Sequence, residues 1–134
     1  MDERIKYYTD RIPTAKQLAD LYDGAGLSRP TNDPGRMQRM IDGSNLLVTA
    51  WLGDELIGAS RSIADFSWCC YLADLAVHAN HQRKGIGKKL IDLTKERAGE
   101  QSMVLLLSVP DAMEYYPKAG LKAVDNAFLL SRSY

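Results

Sequence analysis

The sequence predicts an α/β domain, a mixed sheet flanked by helices, and three observations carry that prediction. Apolar strand-like runs alternate with segments whose apolar residues recur every three or four positions. A two-glycine turn, Gln82-Arg83-Lys84-Gly85-Ile86-Gly87, stands between an apolar run, Leu72 to Val77, and an amphipathic one, Lys88 to Ala98. At 134 residues, with 46% hydrophobic and 25% charged side chains, the chain is expected to form a single domain over residues 1–134.

Arg4 to Tyr8 reads as a short strand. Thr14 can cap a helix whose apolar positions Leu18, Leu21, Tyr22 and Ala25 share one face. Gly24 to Gly35 is the one long turn-rich loop, either a binding wall or a plain connector, and Met37, Met40 and Ile41 suggest a second short helix beyond it. Asn45 to Leu52 and Leu56 to Ala64 form an antiparallel hairpin through Gly53-Asp54. Trp68 to Val77 supplies another strand, and the glycine turn then opens a helix. Val104 to Leu107 suits a strand buried on both faces. Ser108 or Asp111 can start a helix through Tyr115 and Tyr116 that Pro117 and Gly120 end. Ala123 to Tyr134 supplies one or two last strands, which makes six to seven strands and about four helices.

Formal net charge is zero and the sequence pI is about 6.7. A protein that holds nucleic acid is normally basic overall, so no nucleic-acid partner is expected. The N-terminus, Met1-Asp2-Glu3-Arg4, has no apolar signal core behind it, and no apolar run is long enough to cross a bilayer. No membrane partner is expected. Cys69 and Cys70 are adjacent and point to opposite faces of a strand, so they make poor disulfide partners and read as small packed residues. A reducing, cytoplasmic location fits them. His78 and His81 flank the glycine turn as solvated loop residues, and with no carboxylate at ligand spacing no metal is expected.

A strand that ends, turns on two glycines and opens a helix presents free backbone N–H groups and a positive helix end at one point. Gly85 and Gly87 let the backbone approach a phosphate, and Arg83, Lys84, Lys88 and Lys89 add positive charge. The same six residues also suit an ordinary tight turn before a helix with a solvated basic face.

The element order, the Gln82-x-x-Gly85-x-Gly87 turn after Leu75-Ala76-Val77, and Tyr115-Tyr116-Pro117-Lys118-Ala119-Gly120-Leu121 together resemble the GCN5-related N-acetyltransferase (GNAT) superfamily over nearly the whole chain. The resemblance implies a GNAT fold with a mixed, mostly antiparallel sheet whose strands splay at an acetyl-CoA site. Acetyl-CoA would place its diphosphate on the amides around Gln82, Arg83, Lys84, Gly85, Ile86, Gly87 and Lys88, and its pantetheine arm along Leu75, Ala76 and Val77. Tyr116 matches the tyrosine this family commonly uses to protonate the departing thiolate. Leu121 replaces the usual Phe, and Val109 stands where many members carry an Asn that contacts the cofactor arm. The stretch from Ile57 to Asp65, with Asp74 after it, is similar to the chloroplast and cyanobacterial arylalkylamine N-acetyltransferases. C-terminal strands such as Phe128 to Tyr134 often pair between subunits in this family, which puts a homodimer among the expected assemblies.

Acetylation of an alkylamine asks for a base, because an amine with a pKa near ~10 is about one part in a thousand unprotonated at pH 7, a cost of roughly 4 kcal/mol. Asp74 interrupts an apolar strand beside the cofactor edge, as a base through water or an anchor for the substrate cation; the alternative is a strand residue paired with Arg61. A phenol giving its proton to a thiolate is uphill by about 2 kcal/mol without tuning, so Tyr116 is better described as a hydrogen-bond donor to developing charge. Tyr115 is expected to be a packed aromatic. Tyr22, Arg61, Asp65 and Trp68, with Trp51, are candidates for an acceptor pocket. The expected activity is transfer of acetyl from acetyl-CoA to a primary amine of a small molecule. The alternatives are a protein or peptide N-acetyltransferase and a non-catalytic CoA-binding sensor.

Overall fold

The computed structural model describes Asp2 and residues 4–133. Met1, Glu3 and Tyr134, on which parts of the terminal expectations fall, lie outside the described residues. Five strands follow chain order across one sheet: β1 (Ile5–Tyr8), β2 (Leu46–Leu52), β3 (Glu55–Ala64), β4 (Cys69–Val77) and β5 (Met103–Leu105). The first four are antiparallel to their neighbours, and β5 lies parallel to β4. Four α-helices accompany them: α1 (Ala15–Ala25), α2 (Pro34–Asp42), α3 (Ile86–Ala98) and α4 (Tyr115–Lys118).

Local chemistry fixes most of these boundaries. Thr14 and Gln17 form a reciprocal capping box at the start of α1, and Gly26 in the left-handed region (φ 74°) ends it. Asp33 caps α2 through the Arg36 N–H, with Pro34 in the first turn. Gly53 (φ 61°) turns the β2–β3 hairpin. The β3–β4 turn is organised by Asp65, whose Oδ1 accepts from the N–H groups of Ser67, Trp68 and Cys69.

Helices cover both faces of the sheet. Leu18, Leu21, Tyr22, Met37 and Ile41 from α1 and α2 pack with Trp51, Leu56, Ala59 and Ala76 on one face. Ile86, Leu90 and Ala98 from α3 pack with Val48, Ala50, Ile57 and Cys70 on the other. The register carries one break in β4: Asp74 lies opposite Arg61 and Leu72 opposite Ser62, so Ala73 is an extra, bulged residue. Strand alternation slips by one there. Cys70 faces α3, while Ala76 packs with α1.

Three sequence expectations are corrected. The sheet has five strands among the described residues, not six to seven, because residues 122–133 pair with no strand; Phe128 and Leu130 are 98% and 99% exposed. A strand needs a neighbour for its backbone groups, and apolar pattern alone does not supply one. The strand expected at Val104 to Leu107 stops at Leu105, with Leu107 exposed, since the chain leaves β4 there. The last helix is a single turn that holds Pro117 inside it, after a short 3-10 turn at Pro110–Ala112. In its first turn the missing proline N–H leaves nothing unpaired, so Pro117 does not end the helix.

Candidate functional site

The break between β4 and β5 makes the site. Their pairing covers only Cys69–Tyr71 and Met103–Leu105, after which the two chains diverge. Leu72 to Val77 keep β3 on one edge and have no strand on the other. A cleft of about 150 Å³ opens there. Leu75, Ala76 and Val77 line one wall, Leu106, Val109 and Tyr116 the opposite one, and Leu27 and Arg29 close it from the loop after α1. The turn-rich loop is therefore a wall of the cleft. Val109, at the position expected to weaken cofactor contact, lies on this wall with an apolar side chain.

Gln82 also lines the cleft and donates to the Val77 carbonyl at 2.9 Å, fastening the glycine turn to the end of β4. Gly85 (φ 81°) is the N-cap of α3 and supplies no side-chain cap, so the N–H groups of Ile86, Gly87 and Lys88 at the helix start have no capping side chain. Arg83 adopts a left-handed backbone (φ 65°) just before it. The side chains of Arg83, Lys84, Lys88 and Lys89 are exposed around this point. Ile86 contributes only backbone, since its side chain is 2% exposed and packs with β3. At Gly87 a Cβ would lie 2.6 Å from the Tyr115 hydroxyl oxygen, so the tyrosine occupies the space a side chain would fill. Open N–H groups, a bare N-cap and surrounding cations fit a diphosphate.

Asp74 lies within β4, three residues before Val77, 2% exposed and with both carboxylate oxygens engaged. Oδ2 accepts from Tyr22 Oη at 2.7 Å and from Arg61 Nε at 2.5 Å; Oδ1 accepts from Arg29 Nε at 2.6 Å. Burial is the largest influence on its pKa and pushes it up, yet the hydrogen bonds and charge of Arg61, with Tyr22 and Arg29, outweigh it. The carboxyl stays below its ordinary value. Burial beside Asp74 raises the Tyr22 phenol and keeps it a donor. Arg61 also donates to the Met40 carbonyl and to Ser44 Oγ, and Arg29 donates to the bulged Ala73 carbonyl at 3.1 Å. A carboxylate so engaged is a weak base, and Asp74 is buried behind the cleft and not part of its lining. Of the alternatives for Asp74, partnership with Arg61 is the one this geometry matches.

Tyr116 forms the wall between the cleft and a second, more apolar hollow of about 220 Å³ under the C-terminal tail. Burial raises its phenol pKa, and the charge of Arg29 opposes that shift. Tyr115 stands edge-on to Tyr116, ring centroids 5.3 Å apart, with its hydroxyl against the first turn of α3.

Several acceptor-pocket candidates lie elsewhere. Asp65 and Trp68 belong to the β3–β4 turn, at the end of β4 remote from Val77, and Trp68 is 77% exposed. Tyr22 and Arg61 are buried partners of Asp74 and do not line the cleft. Trp51 is core, donating to Thr49 beneath the Arg11 guanidinium. Cys69 is exposed where a packed residue was expected, with its thiol near Asp65, while Cys70 is buried. The His78 ring packs against Gly24 and is half-buried, so it is not a solvated loop residue. Among the described residues no His, Cys, Asp and Glu group could hold a metal, and no helix is long and apolar enough to cross a membrane.

Sequence reasoning missed two residues. Arg29 is hidden in a loop of Gly, Pro and Asn, where nothing in its spacing ties it to β4. Tyr115 was signalled only by its place beside Tyr116.

The acetyltransferase (GNAT) family model matches residues 15–121. A protein of unknown function from meticillin-resistant Staphylococcus aureus has a similar structure: TM-score 0.82, 23% identity, 97% of this chain and 99% of that chain covered. A candidate acetyltransferase from Deinococcus radiodurans R1 gives TM-score 0.77 at 26% identity over 96% and 89%. An aminoglycoside acetyltransferase from an uncultured soil metagenomic sample, in complex with trehalose, gives 0.71 at 24% over 97% and 95%. No curated protein sequence matches the chain.

Proposed function

The chain belongs to the acetyltransferase (GNAT) family, and from that premise we propose that it is a single-domain, acetyl-CoA-dependent N-acetyltransferase acting on a primary amine of a small molecule. One observation carries the reading: the cleft along the unpaired edge of β4 has Tyr116 in its wall and runs to Gln82, where the turn that leads to the bare N-terminus of α3 begins. A long ligand with a dianionic waist needs an anion cradle and free strand edge in line, and both are present.

Acetyl-CoA supplies an activated thioester. The chain's part is to hold and orient it. The amides of Ile86, Gly87 and Lys88 and the cations around them bind the diphosphate, Gln82 keeps their turn against β4, and the backbone of Leu75 to Val77 binds the arm. Tyr116 holds its phenolic proton at the cleft wall as a donor to developing negative charge. Asp74 positions Arg29 and Arg61 and takes no proton. Among the described residues the lining contains no carboxylate and no imidazole, so the amine loses its proton to water or enters as the free base. The narrower likeness to arylalkylamine enzymes loses force here, since Arg61 and Asp65 of the shared rhythm serve the Asp74 cluster and the β3–β4 turn.

Titration calorimetry with acetyl-CoA, followed by thiol release over aryl amines, polyamines, amino sugars, amino acids and peptides, tests the proposal. Saturable binding with turnover on a small amine supports it. Binding without transfer to any acceptor supports a sensor, turnover confined to peptides supports a protein-directed enzyme, and absence of binding rejects the cofactor.

A further inference from the structure

We propose that Arg29 selects the acceptor, and that the acceptor is an amine that also carries a carboxylate, an amino-acid-class molecule whose anion pairs with the Arg29 guanidinium. The inference rests on the acetyltransferase reading above and adds the substrate class.

Charge balance is the first ground. Asp74 is ion-paired to two guanidiniums, Arg61 at 2.5 Å and Arg29 at 2.6 Å, so the cluster carries one positive charge more than it neutralises. Side-chain exposure rises from 1% at Asp74 to 11% at Arg61 and 27% at Arg29. The surplus charge therefore belongs to the outermost member, the one that lines the cleft. A partly desolvated cation that shares its one carboxylate with a second guanidinium favours an anionic ligand.

Position is the second ground. Arg29 grips Asp74 and Ala73, three and four residues before Val77, the end of β4 from which the chain runs on to the glycine turn. At ~3.3 Å per strand residue that sets its contacts about 10–13 Å back along β4 from Val77. The cofactor's phosphates belong at the cradle, so the anion for Arg29 must come from the other substrate. Arg29 lines the same cleft as Tyr116 and is close enough to influence its ionisation, which puts it at the reacting end.

Chemistry is the third. A guanidinium has five N–H donors, and three are used: on Asp74, on the Ser28 carbonyl and on the Ala73 carbonyl. Each terminal nitrogen retains one N–H. Among the described residues Arg29 is also the only side chain of fixed charge in the lining. An acceptor that bears several ammonium groups and no anion meets repulsion there, whereas a carboxylate beside the reacting amine meets a matched donor.

The test compares acceptors that differ only by a carboxylate: L-phenylalanine with 2-phenylethylamine, L-tryptophan with tryptamine, and L-lysine with cadaverine. In the wild type the acid of the preferred pair is expected to lead in kcat/KM by about ten- to a hundredfold. Arg29→Met should raise KM for the acid much more than for the decarboxylated amine, and so collapse the ratio. Arg29→Lys, which retains the charge, should keep part of it. Calorimetry of the acid on protein loaded with coenzyme A should show the same loss in Arg29→Met without any turnover. A ratio unchanged by Arg29→Met, or a fall in kcat shared equally by acid and amine, overturns the proposal. If Arg29→Met does not fold, the wild-type ratio and Arg29→Lys decide. Amine acetylation with no preference for the acids rejects this inference alone, whereas failure to bind acetyl-CoA rejects the reading beneath it.

Discussion

Tyr22 donates its phenolic hydrogen to Asp74 across 2.7 Å, joining the buried face of α1 to the strand that borders the cleft. Neither group meets solvent, so the Tyr22 hydroxyl depends on Asp74 for its partner, while Asp74 is held by Arg61 and Arg29 as well. Tyr22→Phe should lower unfolding free energy by about 1.5–3 kcal/mol, the range for a hydrogen bond to a charged group. Asp74→Ala, which strands the buried Arg61, should cost about 3–5 kcal/mol. Urea denaturation of the three proteins checks both values, and equal stabilities would show the cluster to be incidental.

The same cluster sets an acid limit. The Asp74 carboxyl has a folded pKa below its unfolded value of about 3.9, so it contributes stability above that value. That contribution is lost as pH falls through the folded pKa. Thermal melts from pH 7 downward should show wild type losing stability below about pH 4 more steeply than Asp74→Asn, which has no such proton to take up. Parallel acid limbs in the two proteins would contradict the assignment.

Gly85 has open space around its missing Cβ, whereas Gly87 has the Tyr115 hydroxyl there. Gly85→Glu should therefore fold with about 1–2 kcal/mol of backbone strain and lose acetyl-CoA binding, because it sets a negative charge at the cradle. Gly87→Ala must displace Tyr115, and Gly87→Ala combined with Tyr115→Ala should restore binding. Calorimetry reads both, and wild-type affinity in Gly85→Glu would place the diphosphate elsewhere.

If Tyr116 donates to charge that develops only during transfer, Tyr116→Phe should lower kcat by about a hundredfold and leave KM nearly unchanged. Burial raises its pKa above the ordinary phenol value, so it keeps its proton through the neutral and mildly alkaline range. Unchanged turnover in the variant would remove Tyr116 from the chemistry.

Because Asp74 is held as a weak base, the acceptor's own proton should govern the pH profile. The kcat/KM for an alkylamine is expected to rise about tenfold per pH unit until the amine's pKa near ~10. A plateau near neutrality would reveal a base within the enzyme.

Much of this was legible in the chain. Thr14 and Gly53 announce their elements by local chemistry, and the structure uses both as expected, whereas Asp33 and Pro34, expected in the turn-rich loop, start α2. The glycine turn after β4 and the helix it opens were equally plain. Apolar pattern misled where pairing decides: Val104 to Leu107 and Phe128 to Leu130 read as strands, yet only residues with a neighbouring strand to bond became one.

By itself the sequence determined the α/β order and the glycine turn at Gln82 to Gly87 that opens a helix, and it made Tyr116 a candidate, because these depend on residues close together in the chain. The tertiary structure alone decided what Asp74 touches. In an unbroken strand Leu72 and Asp74 share a face; the extra residue at Ala73 slips the alternation and aims Asp74 at Tyr22, Arg61 and Arg29. Those partners come from a helix, a neighbouring strand and a loop, so no spacing in the sequence encodes their meeting. A one-residue bulge brings Asp74 against two arginines and leaves one of them, Arg29, facing the cleft.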